Sequence, residues 1–97
     1  MDLESLNAEQ LTVPIVAAYL DEHPIPTANW FGPTGQPELS AWIDRDETGW
    51  RVWDTDERAS VVENSVLQTD SESEALIAFL RRAAHFQESR ASTVRHV

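Results

Sequence analysis

Ninety-seven residues with no cysteine and a formal net charge of −10 make one small acidic domain, with neither disulfides nor thiolate metal sites. A field of that sign repels nucleic acid and anionic membranes and attracts basic proteins; its bland alternative role is solubility. At 41% hydrophobic and 25% charged, the composition is that of a folded chain, with a modest core at this length.

The charge is uneven. Residues 1–36 hold five acids and no bases, residues 37–65 hold eight acids and three arginines, and residues 66–97 hold four of each. Lysine is absent throughout. Residues 1–20 contain no basic n-region and no unbroken apolar run, so the expectation is a cytoplasmic protein with no signal peptide and no membrane span.

Met1 to Ser5 read as a frayed end. Asn7 with Gln10 three residues on resembles a capping box. Pro14 is tolerated only in a first turn, which predicts a helix starting near Thr12 as N-cap and running to about Glu22, with residues 8–11 a separate turn. Ile15, Val16, Tyr19 and Leu20 make its apolar face. Asp21 and Glu22 then sit at the C-terminal end, where the helix dipole favours cations.

His23-Pro24-Ile25-Pro26 ends that helix. Residues 27–37 are rich in turn formers and read as loop, with Trp30 and Phe31 either folded back as a lid or exposed as an anchor for a partner.

Residues 38–58 organise the rest. Two β-prone runs flank Arg45-Asp46-Glu47-Thr48-Gly49, a hairpin signal with a longer loop. Strand one is expected over about Glu38 to Asp44, with Leu39, Ala41 and Ile43 alternating with Ser40 and Trp42. Strand two covers about Trp50 to Asp54, with Trp50 and Val52 on one face and Arg51 and Trp53 on the other. Strand three covers about Ser60 to Gln68. Helices on one face of such a sheet leave Trp42 or Trp53 on the other, and an exposed tryptophan there needs a reason.

Ser71 with Glu74 three residues on is a capping box before an apolar run. It opens a helix from Glu72 to about Phe86 whose buried stripe is Leu76, Phe79, Leu80 and Ala83, with Ile77 beside it. Arg81, Arg82 and His85 suit its C-terminal dipole. Residues 88–97 lack apolar periodicity and read as a flexible tail behind a domain of residues 1–87. The expected class is α+β: helix, three-stranded antiparallel meander, helix, with both helices on one face of the sheet.

Catalytic signals are absent. His23, His85 and His96 have no metal-ligand spacing, there is no G-x-S-x-G, and three glycines make no phosphate loop. Asp44/Asp46 and Asp54/Asp56 are carboxylate pairs, but solvated turns do not split their pKa values into an acid and a base. Asp44 to Thr48 lacks the spaced ligands of a calcium loop. No cofactor or metal is expected.

Trp50-Arg51-Val52-Trp53-Asp54-Thr55-Asp56-Glu57-Arg58, a following strand, and then Ser71-Glu72-Ser73-Glu74-Ala75-Leu76-Ile77-Ala78-Phe79-Leu80 form a pattern that resembles small immunity proteins of bacterial polymorphic-toxin and contact-dependent growth inhibition systems. The resemblance spans about residues 38–82, with a general likeness of the first helix. In that pattern glycine often follows the arginine, where this chain has Ala59. The resemblance implies a short acidic cytoplasmic protein that is not an enzyme and neutralises a cognate toxin domain by occluding its basic active site. The expected partner-facing residues are Asp44, Asp46, Glu47, Asp54, Asp56 and Glu57, with Trp30 or Trp53 as anchor. Nucleic acid and membrane are not expected partners, and the free chain is expected to be a monomer or weak homodimer. The rival reading is a non-catalytic adaptor or dimerisation module using an exposed aromatic sheet face.

Overall fold

A computed structural model describes the backbone of residues 11–95 and the side chains of residues 11–88. The capping box at Asn7 and the frayed end at Met1 lie outside these residues. The elements in order are α1 (Val13–Glu22), β1 (Ala28–Trp30), β2 (Ala41–Asp46), β3 (Gly49–Asp54), a 3-10 turn (Glu63–Ser65), β4 (Leu67–Thr69) and α2 (Glu72–Arg95). No helix among the described residues is long and apolar enough to cross a membrane.

The architecture is α+β, as expected, but the sheet has four strands in the order β1-β2-β3-β4, with β1 parallel to β2 and the other pairs antiparallel. The three-stranded meander is therefore corrected to a mixed sheet. The extra strand lies in the stretch read as loop. Turn-rich composition hid it, because its stability comes from a later segment: the Asn29 side chain, fully buried, accepts from Gly35 N at 2.9 Å and donates to the Gln36 carbonyl at 2.8 Å. These bonds fold residues 34–36 along the outer edge of β1, where an open edge would otherwise invite pairing. Gly35 is required there, since a Cβ would stand 2.3 Å from the Pro26 carbonyl oxygen.

The return from β3 also departs from expectation. Thr55 and Val61 form an isolated bridge, the 3-10 turn at Glu63–Ser65 bulges outward, and pairing resumes only at β4. The bulge leaves Asp54 N without a backbone acceptor, and Ser65 Oγ takes that bond at 2.9 Å. Arg82 of α2 then donates to the Ser65 carbonyl at 2.5 Å and pairs with Asp54 Oδ1 at 3.6 Å, clamping the bulge to the helix.

One cluster forms the core. Ala41, Ile43, Trp50 and Val52 from the sheet meet Ala75, Leu76, Phe79, Leu80 and Ala83 from α2, and Leu11 and Val16 join from the α1 side. Ile15, expected inside, is 41% exposed, and Tyr19 packs only at the margin; Val16 is the fully buried member of α1. Leu39, expected on the inward side of strand one, is exposed and lies before β2 with φ 47°.

Both helix starts are satisfied by side chains, α2 locally and α1 from a distance. Ser71 Oγ accepts from Glu74 N at 3.2 Å, as a capping box requires. The reciprocal bond runs through a relay: Ser71 N donates to Thr69 Oγ1, which donates to Glu74 Oε2. Thr12 stands at the N-cap of α1 without a side-chain bond, and Val13 N donates instead to Glu72 Oε1 at 3.3 Å. Helix α2 continues to Arg95, beyond the end of its apolar stripe near Phe86.

Candidate functional site

Alternation along paired strands sorts the sheet into two faces. On the face away from α2, Trp42 pairs with Trp53, Asp44 pairs with Arg51, and Asp46 pairs with Gly49. Neither tryptophan belongs to the core cluster or to the side chains packed against it. Their rings stack with centroids 6.0 Å apart and planes 12° from parallel. Trp42 Nε1 donates to Thr55 Oγ1 at 3.3 Å, and the Thr55 hydroxyl in turn donates to the Pro37 carbonyl at 2.6 Å. This buried threonine fixes the orientation of the first ring and ties loop 37–40 to the end of β3.

Val61 and Val66 extend the aromatic pair into an apolar patch. They are 52% and 43% exposed, and with Arg51 and Trp53 they line a shallow cleft of about 290 Å³. The 3-10 bulge creates this feature. It swings the return chain away from β3, so that Val61 and Val66 flank Trp53.

Carboxylates lie at both ends of that face. At the β2–β3 hairpin, Asp46 Oδ1 accepts from Thr48 N at 2.8 Å and Thr48 Oγ1 at 2.5 Å, and Asp46 Oδ2 pairs with Arg51 at 3.3 Å. The Thr48 bonds hold the Asp46 carboxyl below its ordinary pKa. At the far end, Asp56 Oδ1 accepts from Ser60 N at 3.0 Å and Arg58 N at 2.9 Å, which lowers the Asp56 carboxyl likewise. Glu47 and Glu57 occupy the two turns and are exposed.

The eight residues expected at a partner surface thus divide. Asp44, Asp46 and Trp53 share the open face, and Glu47 adjoins them in the hairpin turn. Asp56 and Glu57 stand past the other end of β3, a strand about 17 Å long. Asp54 pairs with Ala41 on the core side, where burial pushes its carboxyl up while Arg82 opposes the shift. Trp30 also faces the core side: its ring lies 5.8 Å from that of Phe79 and 4.7 Å, edge-on, from that of the exposed Phe31. Trp42, Val61 and Val66 complete the open face. Strict alternation through the hairpin carries the signal for Trp42, whereas the bulge that exposes the valines has no sequence signature.

Among the described residues, no three His, Asp or Glu side chains gather as a metal site. The chain matches no family model, no curated protein and no solved structure.

Proposed function

We propose that this chain is a non-catalytic binding protein that docks a basic protein partner on its open sheet face, in the manner of an immunity protein occluding the active site of a toxin domain. The observation that carries the reading is the stacked Trp42–Trp53 pair, standing outside the core beside exposed Val61 and Val66. Such a patch supplies a rigid aromatic centre that loses little conformational freedom on binding, the kind of residue that dominates interface energetics. Asp44, Glu47 and Glu57 surround it with charge that speeds encounter with a basic surface. Asp46 and Asp56 add to that field while also holding the turns.

The same aromatic face favours a second reading, self-association as an adaptor module. Charge separates the two. Two copies at −10 repel, so a homodimer tightens as salt rises, whereas a basic partner binds less tightly. The test is co-expression with the protein encoded immediately upstream, scored for growth protection and for complex formation at low and high salt. Protection together with salt-weakened binding supports the proposal; a salt-strengthened homodimer and no protection overturn it.

A further inference from the structure

A groove on the other side of the molecule combines features that the sheet face does not use. It runs between the C-terminal turn of α1 and β1, with a volume of about 280 Å³. Leu20, Ile25 and Ala28 give it apolar walls, the indole of Trp30 closes one side, and Asp21 stands among the lining residues. Packing against Phe79 and Phe31 makes Trp30 a fixed wall.

The charge at this groove breaks a local rule. Asp21 and Glu22 end α1, no base lies in its last turn, and the helix dipole there is already negative. Neither carboxylate takes part in any hydrogen bond or ion pair among the described residues. An exposed carboxylate, a helix C-terminus and an aromatic face, gathered around an apolar channel, suit one kind of group. That group is an aliphatic stem ending in a cation, with the stem against the walls and the charge at the rim.

We propose that this groove receives a lysine or arginine side chain of the protein partner, as a second anchor separate from the Trp42–Trp53 face. The inference rests on the basic partner proposed above. It adds the location where one basic side chain is read. A neutral apolar side chain would fill the walls and leave Asp21 unanswered; an anionic one would meet both acids and the dipole.

The test uses the full chain alone, followed by amide and indole NMR signals during titration with N-acetyl-lysine methylamide and with its uncharged norleucine counterpart. The expected result is saturable shifts confined to Leu20, Asp21, Ile25, Ala28 and the Trp30 indole. Binding of the lysine probe should be about two- to fivefold tighter than that of the norleucine probe. Asp21→Asn should remove this preference, and Asp21→Glu should keep it. Equal binding of the two probes, shifts elsewhere, or an unchanged preference in Asp21→Asn overturns the inference. Such a failure leaves partner binding through the sheet face standing, because that is read separately with variants of Trp42 and Trp53.

Discussion

Trp42 and Trp53 stand directly opposite one another in the β2–β3 ladder and stack 6.0 Å apart on the face that α2 does not cover. Register and the Thr55 hydroxyl hold the pair, not burial in the core. A cross-strand aromatic pair contributes about 0.2–1 kcal/mol. Trp53→Ala is therefore expected to unfold at close to the wild-type urea midpoint. A loss of about 3 kcal/mol or more, the range of a buried aromatic, would place Trp53 in the core.

The turn after β3 carries a residue under strain. Asp56 N donates to the Ser60 carbonyl and Ala59 N to the Asp56 carbonyl, both at 3.0 Å, the pattern of a short hairpin loop closed by a left-handed residue. That residue is Ala59, with φ 63°. The left-handed conformation costs a non-glycine residue about 1–2 kcal/mol. Ala59→Gly relieves it and gives back part through the larger unfolded-state entropy of glycine. The expected net gain is about 0.5–1 kcal/mol, read as a raised denaturation midpoint; a lowered midpoint contradicts the turn geometry.

Acid stability should reflect opposing carboxylates. Asp46 and Asp56 have folded-state pKa values below the ordinary 3.8, so their contribution is present above that value and is lost as pH falls through their folded pKa values. Asp54 has a raised folded pKa, so it disfavours the fold at neutral pH and that cost disappears on acidification. Urea midpoints between pH 2 and pH 7 should accordingly fall less steeply at the acid end in Asp56→Asn than in wild type. Asp54→Asn should be as stable as wild type or more so at pH 7, with the difference narrowing as pH falls through the raised folded pKa of Asp54 and gone once pH is below its ordinary 3.8. A steeper acid loss in Asp56→Asn would contradict the assigned role of its carboxylate.

The most demanding test of the fold is Leu80→Ala. Leu80 is fully buried between α2 and the sheet, and its truncation should cost about 2–5 kcal/mol. Ser71→Ala removes only a cap and should cost about 1 kcal/mol. Equal midpoints for the two variants would show that α2 is not seated as described.

Elements with strong periodicity or local polar signatures were legible in the chain. The Ser71 cap, the Leu76-Phe79-Leu80-Ala83 stripe and the alternation of β3 all follow from spacing that no tertiary contact overrides. β1 was not legible, because its three residues form a strand by pairing with the later β2, with its outer edge covered by residues 34–36 held on Asn29. The 3-10 break in the expected third strand likewise depends on Arg82, distant in sequence, bonding to the Ser65 carbonyl. For the site, an aromatic open face could be anticipated from alternation alone. The separation of the acids between two ends of the sheet could not, nor could the Asx-type turns that occupy Asp46 and Asp56. Charge reversal is consequently best confined to Asp44, Glu47 and Glu57, where it should slow association without opening a turn, and by less at high salt.

If the stacked pair anchors a protein partner, removing both rings must weaken the complex. The direct measurement is the affinity of the upstream-encoded protein for wild type and for Trp42→Ala/Trp53→Ala, with the fold of both verified by circular dichroism. The double variant is expected to lose about 2 kcal/mol or more of binding, roughly thirtyfold, mainly through faster dissociation. Unchanged affinity in a folded double variant would contradict it.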